Sequence, residues 1–324
     1  MSTQNEKKLP EGYVTPSYKN GQPSYKKYTD ENGNPVDLEP TFNGKYWAHP
    51  GMVPFIKFEE YAPKFANTYF LKFEDSILEA RWHTEGKSAI WAQPLHRAIW
   101  QLNKYVGQDR DVECFIFGGS GEEFIHGQDP NRLSDDKHLW WMTYEDMYYD
   151  GCNDCESIIF DVQVPTIGVI NGDGWHYENC VFADITLMAE EGVCIDPHYF
   201  VNMVPGDGIQ LAMQGAMGVK KANYAMLMAE KISAEKAVEY GLVNEIMPRE
   251  KLYDRAWEIA HILLKGSSHT RRASVMVLRK PWRKLLASDL RDAFGTEMWT
   301  TLTGHAKHSN EGWEALIEHE VTDE

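Results

Sequence analysis

Apolar and polar positions along this chain alternate in blocks that predict short strands and amphipathic helices. Residues 69 to 82, YFLKFEDSILEARW, alternate on both sides of Glu74-Asp75-Ser76 and predict a hairpin. Leu95, Ile99, Leu102 and Val106 then recur at helical spacing. Val112 to Phe117, between Asp109-Arg110-Asp111 and Gly118-Gly119, predicts a buried strand. Strand, helix and strand in that order predict a parallel sheet with crossover helices. Residues 138 to 160 carry Leu139, Trp140, Trp141, Met142, Met147, Tyr148 and Tyr149 and predict an aromatic-rich helix. That helix serves the core and a subunit contact in one reading, and the wall of an apolar pocket in the other.

The stretch from Val164 to Gly208 organises the rest. Val164, Ile167, Val169 and Ile170 predict a strand that stops at Asn171-Gly172. Glu178 to Ala183 predicts a short helix, and Asp184 to Met188 the next buried strand. Within this apolar block stand His176, Glu178, Asp196, His198 and Asp207. Loops between buried strands are where catalytic side chains are usually held. Further on, KISAEKAVEYGLVNEIMP offers Ser233 as an N-cap, an amphipathic helix, Gly241 as its stop and a strand. Helices follow at 253–265 and 284–303. The expected organisation is a polar extension at 1–45, an α/β core at 46–250 and a helical region at 251–324.

Composition narrows the partners. The chain has 324 residues, 43% of them hydrophobic, with 32 basic and 49 acidic side chains and a net charge of −17. Nucleic acid and anionic membrane both need basic patches and are not expected partners. No glycine-rich phosphate cradle follows a strand. The first thirty residues lack the apolar core of a signal peptide, and no apolar run is long enough to span a bilayer. Five cysteines in so long a chain fit a reducing compartment, so the cytoplasm is expected. Cys152-x-x-Cys155 has no second pair at zinc spacing and reads as a coincidence. Neither a metal nor a nucleophilic Ser or Cys is expected.

Asn171-Gly172, Ala183-Asp184-Ile185 and the Asp196-Pro197…Pro205-Gly206-Asp207-Gly208 run together resemble the crotonase (enoyl-CoA hydratase/isomerase) superfamily. Three more features are similar to its carbon–carbon hydrolase branch, the β-diketone hydrolases typified by 6-oxocamphor hydrolase. They are His-Thr-Glu-Gly-Lys-Ser at 83–88 followed by Trp91, His198 nine residues before Asp207, and Glu297 within DLRDAFGTEMW. The resemblance covers roughly residues 70 to 305. It implies an α/β fold, the crotonase ββα superhelix with a helical C-terminal region. It further implies a trimer or a dimer of trimers, no cofactor, and a small apolar diketone as substrate.

The same resemblance assigns roles. Glu178 stands where hydratases of the superfamily keep their first carboxylate. His198 occupies the slot of the second. An imidazole there can take a proton from water and return one, with Asp207 on Nδ1 as its orienting partner. A surface loop histidine is the alternative for His198, and an Asx turn for Asp207. His176 would hold the enolate released by C–C cleavage, or is simply a loop histidine. Trp91 would wall the pocket and offer its indole N–H, or only pack in the core. Glu297 would hold the attacking water, or is a solvated charge on a helix. His83 and Glu85 shape their loop. Gly121 to Asp129 lies where the superfamily places a glycine-containing oxyanion loop, here with His126 and Gln128 in place of small residues. The implied reaction is retro-Claisen hydrolysis of a β-diketone to a keto acid. The alternatives are hydration or isomerisation of a CoA thioester, with Glu178 as acid and base, and a non-catalytic scaffold.

Overall fold

The computed structural model describes residues 53–129 and 142–303, together with Asn32. The polar extension at 1–45, the start of the aromatic-rich segment at 138–141 and the end of the chain therefore lie outside the described residues. The chain divides into Met1–Phe55 and Ile56–Glu324, and the fold is that of the second unit.

The strands are β1 Tyr69–Glu74, β2 Ile77–Trp82, β3 Ala89–Trp91, β4 Cys114–Gly119, β5 Ile125–Gln128, β6 Thr166–Ile170, β7 Ile185–Ala189, β8 Val193–Cys194, β9 Ile232–Ser233 and β10 Glu245–Met247. Six of them form one sheet in the order β1-β2-β4-β6-β7-β10. β1 is antiparallel to β2, and every other pair in that sheet is parallel. The predicted hairpin turns at Asp75 and Ser76, with φ of 51° and 62°, the left-handed pair that matches strand twist in a two-residue turn.

Central strands are buried on both faces, which is why they read as continuous apolar runs. Alternate residues serve two different cores. Ile77, Cys114, Ile116, Ile167, Val169, Leu187 and Ala189 face Leu252, Ala256, Ile259 and Ala260 of the helix Leu252–Leu264. Leu78, Phe115, Phe117, Ile170 and Met188 join the larger core with Leu95, Ile99 and Leu102. These last three lie on the helix Gln93–Gln108, whose buried stripe is the one the spacing predicts.

Two expectations change. Gly121 to Asp129 is not simply a loop: Ile125–Gln128 is β5, because Ala89–Trp91 runs parallel beside it and takes its backbone hydrogen bonds. The aromatic-rich segment is wound as a π-helix over Met142–Asp150 before continuing as the α-helix Gly151–Phe160. The Ser233 cap, its hydroxyl accepting from Lys236 N, and the Gly241 stop at φ 80° are both present. Among the described residues no helix is long and apolar enough to cross a membrane.

Candidate active site

β6 ends at Ile170, and the chain then turns through Asn171-Gly172-Asp173-Gly174 over the ends of the sheet. Asn171 Nδ2 donates to the carbonyls of Gly121 and Glu123, tying this turn to the segment after β4. Gly174 pairs with Cys194, and its N–H donates to Val193 O at 3.1 Å. His176 follows at φ 58°, a left-handed conformation that a non-glycine residue holds only when its surroundings impose it. The helix Glu178–Phe182 then buries Glu178.

Two imidazoles and four carboxyls converge here. His198, on the short 3₁₀ turn His198–Val201, has Nδ1 2.6 Å from Asp196 Oδ1, which also accepts the His198 N–H at 3.1 Å. Its Nε2 faces Asp207 Oδ2 at 3.5 Å and Glu297 Oε1 at 3.8 Å. The expected pairing of Asp207 with Nδ1 is therefore corrected. Asp196 holds that nitrogen, because two residues of chain through Pro197 leave its carboxylate beside the imidazole, while Asp207 lies across the site. The Asp-Pro-His run is the sequence signal for Asp196, to which the resemblance assigns no role.

Asp207 makes the Asx turn given as its alternative and also faces the site, though not His198 Nδ1. Oδ1 accepts Ile209 N–H at 3.2 Å, an Asx turn, while Oδ2 stands between the two histidines, 3.4 Å from His176 Nδ1. His176 Nδ1 also lies 3.1 Å from Glu178 Oε1. Trp91 packs in the core and stacks on the His176 ring, centroids 3.8 Å apart at 15°. Glu297 is no solvated charge. It is 2% exposed on the helix Arg291–Leu302, and its Oε2 accepts Gly206 N–H at 3.0 Å. Position 206 must be glycine for that approach, since a Cβ there would stand 2.3 Å from Ala293 O.

The other candidates fall outside this cluster. His83 Nδ1 accepts Gly86 N–H, and Glu85 sits at φ 53°, so both shape their loop as expected. His126 is exposed and contacts Glu123. Cys152 and Cys155 are free, buried thiols, and Cys155 Sγ donates to Asp207 O at 3.2 Å. Burial pushes the Cys152 thiol up to about 12, so neither chemistry nor metal binding is favoured there.

A buried layer that the sequence did not advertise lies behind the site. His96 Nδ1 is 3.1 Å from Asp146 Oδ1, and its ring packs against Trp91. Asp154 Oδ2 accepts from Asn179 Nδ2 at 3.1 Å and lies 4.0 Å from His96 Nε2.

Residues 85–322 match the family description "Enoyl-CoA hydratase/isomerase". The chain belongs to that family. Among solved structures, a β-diketone hydrolase from the cyanobacterium Anabaena sp. PCC 7120, bound to (S)-3-oxocyclohexyl acetic acid, is 29% identical with a TM-score of 0.68, over 75% of this chain and 96% of that one. An enoyl-CoA hydratase/isomerase from Mycobacterium paratuberculosis, 22% identical over 76% of this chain and 98% of its own, shares the fold with a TM-score of 0.67. Among sequence relatives, a probable mitochondrial enoyl-CoA hydratase of Dictyostelium discoideum is 25% identical over 66% of this chain and 75% of its own length. A carnitinyl-CoA dehydratase of Salmonella paratyphi A is 29% identical, over 34% of this chain and 42% of its own. The protein is thus a crotonase-superfamily enzyme with the fold the resemblance implies.

Within this crotonase fold the site is crowded with ionisable groups. Burial penalises the His198 imidazolium, but Asp207, Asp196 and Glu297 outweigh that penalty and raise its pKa well above the ordinary histidine value. Burial, reinforced by Asp207, pushes Glu297 up to about 8 against the opposing pull of His198. Glu178 is raised well above the usual carboxylate range, first by burial and then by Asp207. Protons are therefore shared across one tightly spaced set of acids and bases, the arrangement a proton-transfer site needs.

Proposed function

We propose that this enzyme hydrolyses the C–C bond between the carbonyls of a β-diketone, a retro-Claisen reaction. The carrying observation is His198, with Nδ1 tied to Asp196 and Nε2 turned toward Asp207 and Glu297. An imidazole fixed in this way presents one basic nitrogen to a water molecule. Nε2 takes a proton from that water, its oxygen attacks one carbonyl, and the C–C bond breaks. The electron pair moves to the central carbon and is delocalised into the second carbonyl as an enolate. In this reading His176 and Trp91, stacked on each other, donate to that oxygen, where positioned donors count most. The proton taken from water is returned to carbon, giving a carboxylic acid and a ketone, joined as one keto acid when the substrate is cyclic.

The hydrolase in the set of similar structures supports this reading, as does the histidine where hydratases keep a carboxylate. A second reading has its own support. The sequence relatives act on CoA thioesters by name, and Glu178 is present at the first carboxylate position, buried and with a raised pKa. One assay separates the two. A cyclic 1,3-diketone with a quaternary carbon between its carbonyls is offered beside crotonyl-CoA, each with wild type and with His198→Ala. Diketone cleavage lost by a factor of about 10²–10⁴ in the variant is expected. Efficient turnover of crotonyl-CoA, with a panel of mono- and bicyclic diketones untouched, rejects the hydrolase reading.

A further inference from the structure

The atoms around His198 Nε2 are spaced for something other than hydrogen bonding. Asp207 Oδ2 at 3.5 Å and Glu297 Oε1 at 3.8 Å lie beyond good hydrogen-bond length. A cation held at about 2.0–2.1 Å by nitrogen and oxygen ligands sets those ligand atoms roughly 3.3–3.4 Å apart in a tetrahedron. The three atoms lie within 4.8 Å of one another.

Each of these three side chains is also anchored by its other polar atom. Nδ1 of His198 is held by Asp196 at 2.6 Å, the carboxylate–histidine arrangement that orients metal ligands. Asp207 Oδ1 is held by Ile209 N–H, and Glu297 Oε2 by Gly206 N–H. The outward atoms are thus left free of backbone partners and point at a common region. Two further carboxyls, Asp196 and Glu178, are buried beside these groups. Glu178 Oε2 and Asp196 Oδ2 are both buried without a hydrogen-bond partner.

We infer that His198 Nε2, Asp207 Oδ2 and Glu297 Oε1 form a binding site for one divalent transition-metal cation of the zinc class, and that the bound ion inhibits the enzyme. One imidazole and two carboxylates suit zinc or cobalt rather than magnesium or calcium, which prefer all-oxygen sets. Inhibition follows from the proposed function, because the lone pair on Nε2 cannot hold a metal and accept a proton from water together. Binding itself does not depend on that reading.

The test uses the tag-free full chain, dialysed against chelator and free of substrate. Zinc is titrated by calorimetry and cobalt by its visible absorption. One ion per chain is expected, with affinity at least tenfold weaker in His198→Gln and in Glu297→Gln. Asp196→Asn, which leaves all three ligands in place, is expected to weaken it about 10–100-fold through the lost orientation of the ring. His126→Ala, which changes an exposed imidazole outside the cluster, should bind as wild type does. Absence of stoichiometric binding, equal affinity in the ligand variants, or loss in that control overturns the site. In the enzyme assay, zinc should inhibit with a constant equal to the calorimetric one and be reversed by chelator. Stimulation overturns the inhibitory assignment. Because binding is read without substrate, a failure of diketone cleavage leaves this result standing.

Discussion

His198 is balanced between burial, which disfavours its cation, and three carboxylates, which favour it. The carboxylates prevail, so the neutral base is populated only above the ordinary histidine range. On the proposed reaction, the rate is expected to rise with pH on a limb lying above the ordinary histidine pKa. Asp196→Asn removes one of the raising charges and the bond to Nδ1. The limb should move to lower pH, while the maximal rate falls because the ring is no longer held in one tautomer. The pH profile of kcat/KM for wild type and variant measures both. An unmoved limb would show that His198 is not the group being titrated. Asp196 acts here through His198, so its role is positioning.

At the scale of elements, Arg279 is one of the side chains that fasten the C-terminal helices to the sheet. Arg279 is 1% exposed and donates to Asp184, to Thr166 Oγ1 and to the carbonyls of Ile158, Val162 and Val164. It therefore joins the end of the helix Gly151–Phe160, the start of β6 and the residue before β7. β6 leads into His176 and Glu178, and Asp184 follows them. Arg279→Met takes the guanidinium from Asp184, which keeps Thr166 as a donor, and from three carbonyls, a loss of about 3–5 kcal/mol for a broken buried pair. Denaturant unfolding should show it as a lower midpoint at unchanged slope. A shift worth less than about 1 kcal/mol would mean that water replaces the guanidinium and that the fastening lies elsewhere.

At the scale of the whole molecule, buried acids set the response of stability to pH. Burial raises Asp154 to about 7, opposed by His96 and by the Asn179 hydrogen bond and assisted by Asp207 and Asp150. An aspartate in the unfolded chain titrates near 4. Between about pH 4 and 7 the native state therefore binds the extra proton, and stability falls as pH rises through that window. Asp154→Asn removes this dependence. Its unfolding free energy relative to wild type should climb from pH 4 and level off near pH 8, by up to roughly 4 kcal/mol, on top of a constant offset from the new amide. A difference that stays flat with pH would mean that Asp154 titrates normally in the fold. The self-association that the resemblance implies is tested at the same scale. Tyr224, Leu227 and Met228 are exposed along the helix Val219–Met228, an apolar stripe suited to a second copy of the chain. Leu227→Asp is expected to reduce the mass measured by light scattering if the chain forms the trimer its resemblance implies. An unchanged mass would place the contact on another face.

Much of this protein follows from local pattern. The hairpin at 69–82, the stripe of Leu95, Ile99, Leu102 and Val106, and the Ser233 and Gly241 caps are set by neighbours in sequence. Period and turn chemistry suffice to find them. His176, Glu178, His198 and Asp207 were legible because one short block carries them between two buried strands, and Trp91 and Glu297 through the family pattern. Tertiary structure decided the pairings. Which nitrogen of His198 meets Asp196 and which meets Asp207 depends on how the segment 195–208 folds back over the sheet. Glu297 reaches the same histidine only because Gly206 lets the distant helix Arg291–Leu302 approach. β5 formed because Ala89–Trp91 lay beside it, and His96 and Asp154 became a buried layer because two helices packed face to face. Such contacts join residues far apart in the chain, and no local period or spacing encodes them.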